Sequence, residues 1–407
     1  MLPVETDLHL QLKVAGKRVG FNDVAVWARE SAGAMCQELI RAALWQMQLR
    51  HLESIRGGAA EVICPRCGVV HTGQGVVRRG PRPRKVRTSS GLVCFQLIQL
   101  TCRDCNATWS PYPALLGLQP RARVSEELLK QLFEGVVQLS YAKTTGLAGT
   151  WLGIRISPRT LHRAVQERAS RLEFTEAPGL ETIFADGSLV KAGDKKRGEE
   201  YCVSFQLQDR GTKHGRPSVQ KRVIGFGFGP TGWYQAFSNE TQPTLVVTDG
   251  ESGIRQSVGT AYPAARHQLC EWHVPYTVSI LLQRDGGIAL ARRKRMVAEL
   301  RGIIQRRDYD RYQRFTRRLR RGTHSRAHLE NAEPYIMYPR PSSIRTTSWA
   351  ERQMRELNRR TDVGVRWSPY GVANMLMLRL ATLHNRDDYE RIWTPPNPLA
   401  WGMVPHP

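Results

Sequence analysis

The sequence shows no long apolar run, no visible signal-peptide pattern and no phosphate-binding loop motif. No stretch approaches the roughly 18 continuous apolar residues that a membrane helix needs, and the first residues lack the basic region and apolar core of a signal peptide. The glycines at 225, 227 and 229 are not followed by Gly-Lys-Ser or Gly-Lys-Thr, so they predict no nucleotide site. Cytoplasm is the expected compartment.

Acidic residues are few compared with basic ones. The 407 residues include 60 Lys and Arg but only 36 Asp and Glu, which gives a net charge of +24. A surplus of this size predicts a polyanionic partner bound through phosphate neutralisation, although a solvated basic surface without a partner is the simpler alternative. The length allows two or three domains.

The eight cysteines are expected to be reduced thiols, because no secretory signal is visible. Four of them form two pairs, Cys64-Pro65-Arg66-Cys67 and Cys102-Arg103-Asp104-Cys105, separated by 34 residues. Two such pairs can close a tetrahedral site with four thiolates, so Cys64, Cys67, Cys102 and Cys105 predict structural zinc. A redox role would require a thioredoxin-like setting, which the sequence does not show.

The segment between the two cysteine pairs is predicted to be an extended hairpin. Residues 84–97 follow a strand, turn, strand pattern. Arg84, Lys85 and Arg87 make the hairpin basic and are candidate contacts to a DNA backbone. This module is assigned to residues 61–120, after an N-terminal helical region, residues 1–60, whose main helix is predicted from about Asp23 to Arg56.

Residues 121–175 have the pattern of a helix-turn-helix. Gly153 marks a tight turn, and Ser157-Pro158 starts the next helix with a capping Ser and Pro in the first position. The N-terminal residues of such a helix enter the major groove, which makes Arg159, Thr160, His162 and Arg163 the candidate DNA-reading residues. Many helical hairpins with the same pattern never contact DNA.

Three acidic residues form the strongest candidate for chemistry. Asp186 and Asp249 each end a short apolar run and precede Gly, while Glu351 lies in a polar stretch with helical character. Two strand ends and one helix could bring these carboxylates together, and Mg²⁺ prefers such oxygen ligands. Taken singly, each Asp-Gly pair is also the commonest sequence signal for a turn.

The segment from residue 176 to 395 is predicted to be one catalytic domain. Three successive strands without helical spacers predict an antiparallel meander, with the strand Leu245–Thr248 and a short strand before Cys270 added later. Residues 284–326 contain fifteen Arg and Lys against four acids, with apolar positions at helical spacing. A helical insertion at about 275–340 is therefore expected, its basic face serving DNA, a protein partner or only solvent.

The order of these motifs resembles the Mutator-like DDE transposases, and most closely their prokaryotic insertion-sequence relatives. The first matching features are Asp186 at the first predicted strand and Asp249-Gly250 at the fourth strand. After the fifth strand come Cys270-Glu271-Trp272-His273 and a helical insertion. Residues 345–351, which end in Glu351, and residues 355–360 complete the match. Ser348 stands where the family more often has Asn. The resemblance covers about residues 60–385. It implies an α/β, RNase H-like catalytic core with an all-α insertion.

The resemblance further implies a DNA transposase that binds transposon terminal inverted repeats and joins them to target DNA. It implies two Mg²⁺ or Mn²⁺ ions held by Asp186, Asp249 and Glu351, a site-organising role for Cys270 and His273, and a homodimer or higher oligomer on nucleoid DNA. A buried structural pair is the alternative for Cys270 and His273, which are not expected to bind metal. A DNA-binding protein that has lost the chemistry and a structure-selective RNase H-like nuclease are the competing functions.

Overall fold

The computed structural model describes residues 21–119, 121–175, 182–213, 216–237, 242–337 and 347–393. The predicted strand-like patch at residues 8–14, and Arg345 and Thr346 of the last motif, lie outside the described residues. The chain divides into two compact units, which meet in sequence between Ala164 and Val165, and Trp393 belongs to the first unit.

Among its described residues, the first unit contains a long helix, five strands and four further helices. Its elements are α1 (Phe21–Arg56), β1 (Val62–Ile63), β2 (Val70–His71), β3 (Val76–Thr88), β4 (Gly91–Cys102), β5 (Thr108–Trp109), α2 (Tyr112–Leu115), α3 (Glu126–Val136), α4 (Tyr141–Leu152) and α5 (Pro158–Ala169), which crosses the division.

The predicted hairpin is formed by β3 and β4. These strands pair antiparallel, with β5 added to β4 as a third strand, while β1 and β2 form a separate antiparallel pair. The C-terminal part of α1 packs on this sheet, because Leu52 and Ile55 are buried with the apolar side chains of β4. Gln48 fixes the contact by donating to Gln96 O at 2.9 Å and accepting from Ile98 N at 2.9 Å.

The three helices predicted at residues 121–175 are α3, α4 and α5. Each begins at a serine whose hydroxyl oxygen accepts a backbone N–H of the first turn: Ser125 from Leu128 at 3.2 Å, Ser140 from Lys143 at 3.2 Å and Ser157 from Thr160 at 3.1 Å. Gly153 ends α4 with φ of 66°, a left-handed conformation that glycine adopts at little cost.

The second unit contains a five-stranded mixed sheet and nine helices among its described residues. Its elements are β6 (Thr182–Val190), β7 (Glu199–Lys213), β8 (Arg216–Phe228), α6 (Gly232–Ala236), β9 (Leu245–Thr248), α7 (Ser252–Ala261), β10 (Arg266–Leu269), α8 (His273–Arg284), α9 (Leu290–Arg306), α10 (Tyr309–Arg318), α11 (His324–Ile336), α12 (Ser348–Thr361), α13 (Pro369–His384) and α14 (Arg386–Arg391).

The strand order in this sheet is β10-β9-β6-β7-β8. The β6, β7 and β8 strands form an antiparallel meander, and β9 and β10 add parallel to β6. Helices α12 and α13 pack on one face through residues such as Met354 and Leu376, and α6 and α7 pack on the other through residues such as Trp233 and Ile254. The sheet is therefore covered on both sides.

One strand end differs from the prediction. We expected the first strand to close at Asp186, but β6 continues to Val190, because Gly187, Ser188 and Leu189 remain paired with β7. Cross-strand pairing here outweighs the turn preference of Asp-Gly. Asp186 consequently lies inside a strand rather than at its end.

The chain from His273 to Ile336 is helical, with a separate apolar core. Helices α8 to α11 bury Val278, Leu300, Phe315 and Leu329 against one another. The apolar positions predicted for this segment face inward: Val297, Leu300, Ile303 and Ile304 are buried, and Met296 packs against them. Among the described residues, no helix is long and apolar enough to cross a membrane.

Candidate active site and metal centres

Asp186 is a buried carboxylate in the middle of the sheet. Its side chain is 8% exposed, and its Oδ1 accepts the N–H of Gly187 at 2.9 Å. Burial raises the pKa of Asp186 to about 7, and the negative charges of Asp249 and Glu351 also raise it. Asp186 is thus within electrostatic range of both other predicted acids.

Asp249 directly follows β9, the strand that pairs with the strand of Asp186. In the parallel register, Phe184 is opposite Val247, so the positions two residues further along are Asp186 and Asp249. The strand β9 ends at Thr248, as predicted, and Gly250 turns the chain away with φ of 89°. The Asp249 Oδ1 accepts the N–H of Glu251 at 3.3 Å, which holds the carboxylate at the start of this turn.

Glu351 is on the first turn of α12, which packs on the sheet through Trp349, Ala350 and Leu357. Its Oε1 is buried, and among the described residues it has no hydrogen-bond partner. The nearest cationic group is the His273 ring, whose Nε2 lies 3.4 Å from that oxygen. A buried carboxylate oxygen without a donor is suited to bind a cation.

Cys270 and His273 connect the start of α8 with the start of α12. The Cys270 sulfur accepts the N–H of Thr347 at 3.4 Å, and the Thr347 hydroxyl lies 3.4 Å from His273 Nδ1. Neither belongs to any group of three candidate metal ligands within the described chain. Both instead contact Thr347, the residue directly before the helix that carries Glu351.

Cys270 and His273 also shift each other's pKa. Burial lowers the pKa of His273, but the hydrogen bond and charge of Cys270, with the charges of Glu351 and Asp249, raise it to about 9. Burial raises the pKa of the Cys270 thiol, but its bonds with His273 and Thr347 outweigh burial and lower it. The geometry therefore favours an imidazolium beside the acids.

The three carboxylates do not form one tight cluster. In the part of the chain that the structure describes, their ligand oxygens do not all lie within 4.8 Å of one another. Like charges repel, and a pair of cations about 3.5–4 Å apart needs ligands spread along its length. The all-oxygen donor set, and a Glu351 oxygen that accepts no hydrogen bond among the described residues, fit a hard divalent cation.

The four predicted cysteine ligands converge in the first unit. All four sulfurs lie within 4.8 Å of one another. Cys64 Sγ is 3.6 Å from Cys105 Sγ, and Cys67 Sγ is 3.7 Å from Cys102 Sγ. Tetrahedral coordination with Zn–S of about 2.3 Å places sulfurs about 3.8 Å apart, so this cluster fits zinc.

His71 is a residue that sequence reasoning missed. Its buried Nε2 lies 3.1 Å from Cys102 Sγ and 3.8 Å from an Asp104 carboxylate oxygen. Pairing of His71 with Val62 in the β1–β2 ladder brings the ring to the cluster. A histidine four residues after Cys67 was the available sequence signal.

The predicted DNA-reading residues mostly lie on the exposed side of α5. Arg159, His162 and Arg163 are exposed, whereas Thr160 is half-buried and its hydroxyl lies 2.8 Å from that of Ser157. The His162 ring meets Tyr141 of α4 edge-on at 5.1 Å. Three of the four side chains are therefore open to a ligand.

The three basic residues predicted on the hairpin have different environments. Lys85 is exposed. The Arg84 guanidinium donates to Gln119 O at 3.2 Å and Ala122 O at 2.9 Å, which ties the hairpin to the following segment. Arg87 is half-buried, and its N–H donates to Arg123 O at 2.9 Å. Of the three, Lys85 has the side chain most open to a phosphate.

Comparisons with known proteins support the resemblance inferred from the motifs. Residues 241–391 match the model of the family described as Transposase, Mutator family. This match contains Asp249, Cys270, His273 and Glu351. The chain is also 26% identical over 224 residues to the transposase for insertion sequence element IS905 of Lactococcus lactis subsp. lactis (strain IL1403).

That alignment covers 51% of this chain and 53% of the relative, so the chain spans about half the length of the curated relative it matches. The resemblance of this chain to prokaryotic insertion-sequence transposases of the Mutator type is confirmed.

Proposed function

We propose that this protein is the DNA transposase of an insertion sequence, which binds transposon ends and catalyses metal-dependent strand cleavage and strand transfer. The observation that carries the proposal is that three acids from distant parts of the sequence stand on elements that pack together: β9, which Asp249 follows, pairs with the strand of Asp186, and the helix of Glu351 packs on the same sheet. The sheet order, with a meander extended by two parallel strands, supports an RNase H-like core.

In this proposal Asp186, Asp249 and Glu351 hold two Mg²⁺ or Mn²⁺ ions. Such ions activate an attacking oxygen and stabilise a leaving one at a phosphodiester. Asp186 contributes from inside a strand, and Asp249 from the turn directly after the neighbouring strand, so their backbones are fixed by the sheet. Glu351 is supplied by a helix, and its orientation depends on how α12 is held.

Cys270 and His273 act as site-organising residues. The His273 imidazolium beside Glu351 offsets part of the negative charge at the acids. The bond from Thr347 N–H to Cys270 anchors the start of α12. Both roles place the Glu351 carboxylate without requiring either side chain to bind a metal.

The first unit supplies DNA binding in this proposal. Zinc at Cys64, Cys67, Cys102 and Cys105 would stabilise the β-module by joining the segment after β1 to the end of β4. The exposed Arg159, His162 and Arg163 of α5 would read the transposon end in the major groove. The net charge of +24 supports the phosphate contacts that this binding requires. Assembly as a homodimer or higher oligomer on DNA is part of the same proposal.

The test uses the purified chain with the DNA that flanks its own gene. We expect cleavage at the element ends in Mg²⁺ or Mn²⁺, followed by joining to a target plasmid, and neither reaction in EDTA. Asp249→Asn should remove both reactions while leaving end binding and zinc content intact. Binding without any cleavage by the unmodified chain would favour a DNA-binding protein that has lost its chemistry, and cleavage without joining would favour a structure-selective nuclease.

A further inference from the structure

Ser188, Tyr201 and Asn358 form a hydrogen-bonded group that joins α12 to the sheet. The Tyr201 hydroxyl donates to Asn358 Oδ1 at 2.8 Å, and Asn358 Nδ2 donates to Ser188 Oγ at 2.9 Å. Tyr201 is fully buried, while Ser188 and Asn358 are half-buried. Helix α12 is thereby bonded through one side chain to two neighbouring strands, β6 and β7.

Ser188 and Asn358 lie on the same strand and the same helix as two of the candidate acids, Asp186 and Glu351. Ser188 is two residues after Asp186 on β6, so both side chains are on the same face of the sheet. Tyr201 is the cross-strand partner of Ser188. Asn358 is two turns after Glu351, about 10 Å further along the same side of α12. The charge of Asp186 adds to burial in raising the pKa of Tyr201, in keeping with a short separation.

Apolar packing also joins α12 to the sheet, together with Lys221 of β8, whose Nζ lies 4.9 Å from the centre of the Trp349 ring. Ala350, Met354 and Leu357 are buried against strand residues such as Phe184. Apolar packing is not directional and tolerates small rotations and shifts better than hydrogen bonds do. Glu351 also lies between two polar attachments, the Thr347 bond to Cys270 before it and the Asn358 bonds after it.

We infer that Asn358 is a positioning residue, which fixes the rotation and axial position of α12 and so sets the Glu351 carboxylate relative to Asp186. The inference rests on the proposed function of these acids. A side-chain amide suits the task because it accepts from Tyr201 and donates to Ser188 at once. Leucine of similar size can do neither.

The test measures Mn²⁺ binding to the full-length chain, by electron paramagnetic resonance titration of free Mn²⁺. Tyr201→Phe and Asn358→Leu are each expected to weaken Mn²⁺ binding at least tenfold, the order of effect seen when an outer partner of a metal ligand is removed. Tyr201→Phe serves as the milder variant, since it removes one hydroxyl and keeps the packed ring.

Tyr312→Phe is the matched control. Tyr312 is also fully buried, and its hydroxyl donates to Leu329 O at 2.8 Å within the α8–α11 core, so the same atom and one hydrogen bond are lost. Tyr312→Phe should lower the melting temperature about as much as Tyr201→Phe and leave Mn²⁺ binding unchanged. If Tyr201→Phe and Asn358→Leu bind Mn²⁺ as tightly as Tyr312→Phe does, the positioning role is wrong.

Asp249→Asn distinguishes failure of the positioning role of Asn358 from failure of the proposed function. If the unmodified chain binds Mn²⁺ no more tightly than Asp249→Asn does, the acids do not form a metal site and both ideas fail. If Asp249→Asn loses binding while Tyr201→Phe and Asn358→Leu keep it, the metal site stands and only the role of Asn358 is overturned.

Discussion

Replacing Asp186 with Asn should stabilise the metal-free protein. Burial and the charges of Asp249 and Glu351 raise the pKa of Asp186 from 3.8 to about 7, so the ionised carboxylate is unfavourable in the folded state. At about 1.4 kcal/mol per pH unit, that difference corresponds to about 4 kcal/mol. Asn removes the charge, and its side-chain oxygen can still accept the Gly187 N–H.

The stabilisation expected from Asp186→Asn increases with pH. Below pH 3.8 the carboxyl is protonated in both the folded and unfolded chain, so the advantage of Asp186→Asn vanishes. It grows as the pH rises from 3.8, because the unfolded chain releases this proton first, and it is complete above about pH 7. Ionised Asp186 is therefore most costly under the conditions in which a divalent cation would bind.

The assay is thermal unfolding of the full chain in EDTA at pH 5 and pH 8. A unit of this size shifts by roughly 2–4 °C per kcal/mol, so the unit that contains Asp186 should melt roughly 8–16 °C higher in Asp186→Asn at pH 8 and less so at pH 5. Adding Mg²⁺ should raise the melting temperature of the unmodified chain more than that of the variant.

Asp285→Asn is a control variant for which we expect the opposite effect on stability. Burial raises the pKa of Asp285, but hydrogen bonds from Ser325 and the His324 N–H outweigh burial and lower it. Its carboxylate accepts the N–H groups of His324 at 2.9 Å and Ser325 at 3.0 Å, so the same substitution should destabilise the chain at pH 8. An Asp186→Asn variant that melts at or below the unmodified chain at pH 8 would refute the reasoning.

Three further outcomes are expected. His71→Ala should speed the release of zinc to a chromogenic chelator roughly tenfold, because the Cys102 thiolate loses its neighbouring ring, while leaving the zinc content at one ion per chain. Arg159→Ala should weaken binding to the element end in a gel-shift assay by about 1–3 kcal/mol if it contacts a base, with little effect on melting temperature. Arg222→Met should destabilise the chain to urea by about 3–5 kcal/mol, because Asp388, which is 1% exposed and lies 3.3 Å from Arg222, would keep a buried charge with one fewer partner.

Much of the layout of the second unit follows from local sequence patterns. The strand Leu245–Thr248 was predicted to its last residue, because a buried β-branched run ends where Gly250 must adopt positive φ. The continuation of β6 past Asp186 was not predictable in this way. It depends on pairing with β7, and no local pattern around Asp186-Gly187 records that partner.

The candidate site, like the fold, was predictable only in part. Asp186, Asp249 and Glu351 were predicted from two apolar runs that end in Asp-Gly, a polar stretch with helical character and the order of the motifs. The parallel pairing of β6 with β9 brings the segments that carry the two aspartates side by side. The hydrogen-bonded group of Ser188, Tyr201 and Asn358 was not predicted, although Asn358 lies within the motif at residues 355–360. Its role depends on Tyr201, 157 residues away in sequence, and only the folded sheet brings the two together.

The roles of the basic residues could be assigned only in part. Arg84 and Lys85 are adjacent and chemically alike in the sequence, yet Arg84 is bonded to backbone carbonyls and Lys85 is exposed. Charge alone predicts a polyanionic partner, because the net charge is a sum over the chain. Which cation faces that partner depends on the tertiary contacts of each side chain.

The most direct test of the central claim is a Mn²⁺ titration of four variants, each with one carboxylate changed to an amide. Asp186→Asn, Asp249→Asn and Glu351→Gln should each weaken Mn²⁺ binding at least tenfold, because all three acids are proposed to hold the same ions. Glu356→Gln, on the same helix as Glu351, should bind as the unmodified chain does. Unchanged Mn²⁺ binding in any of the first three would contradict a shared metal site.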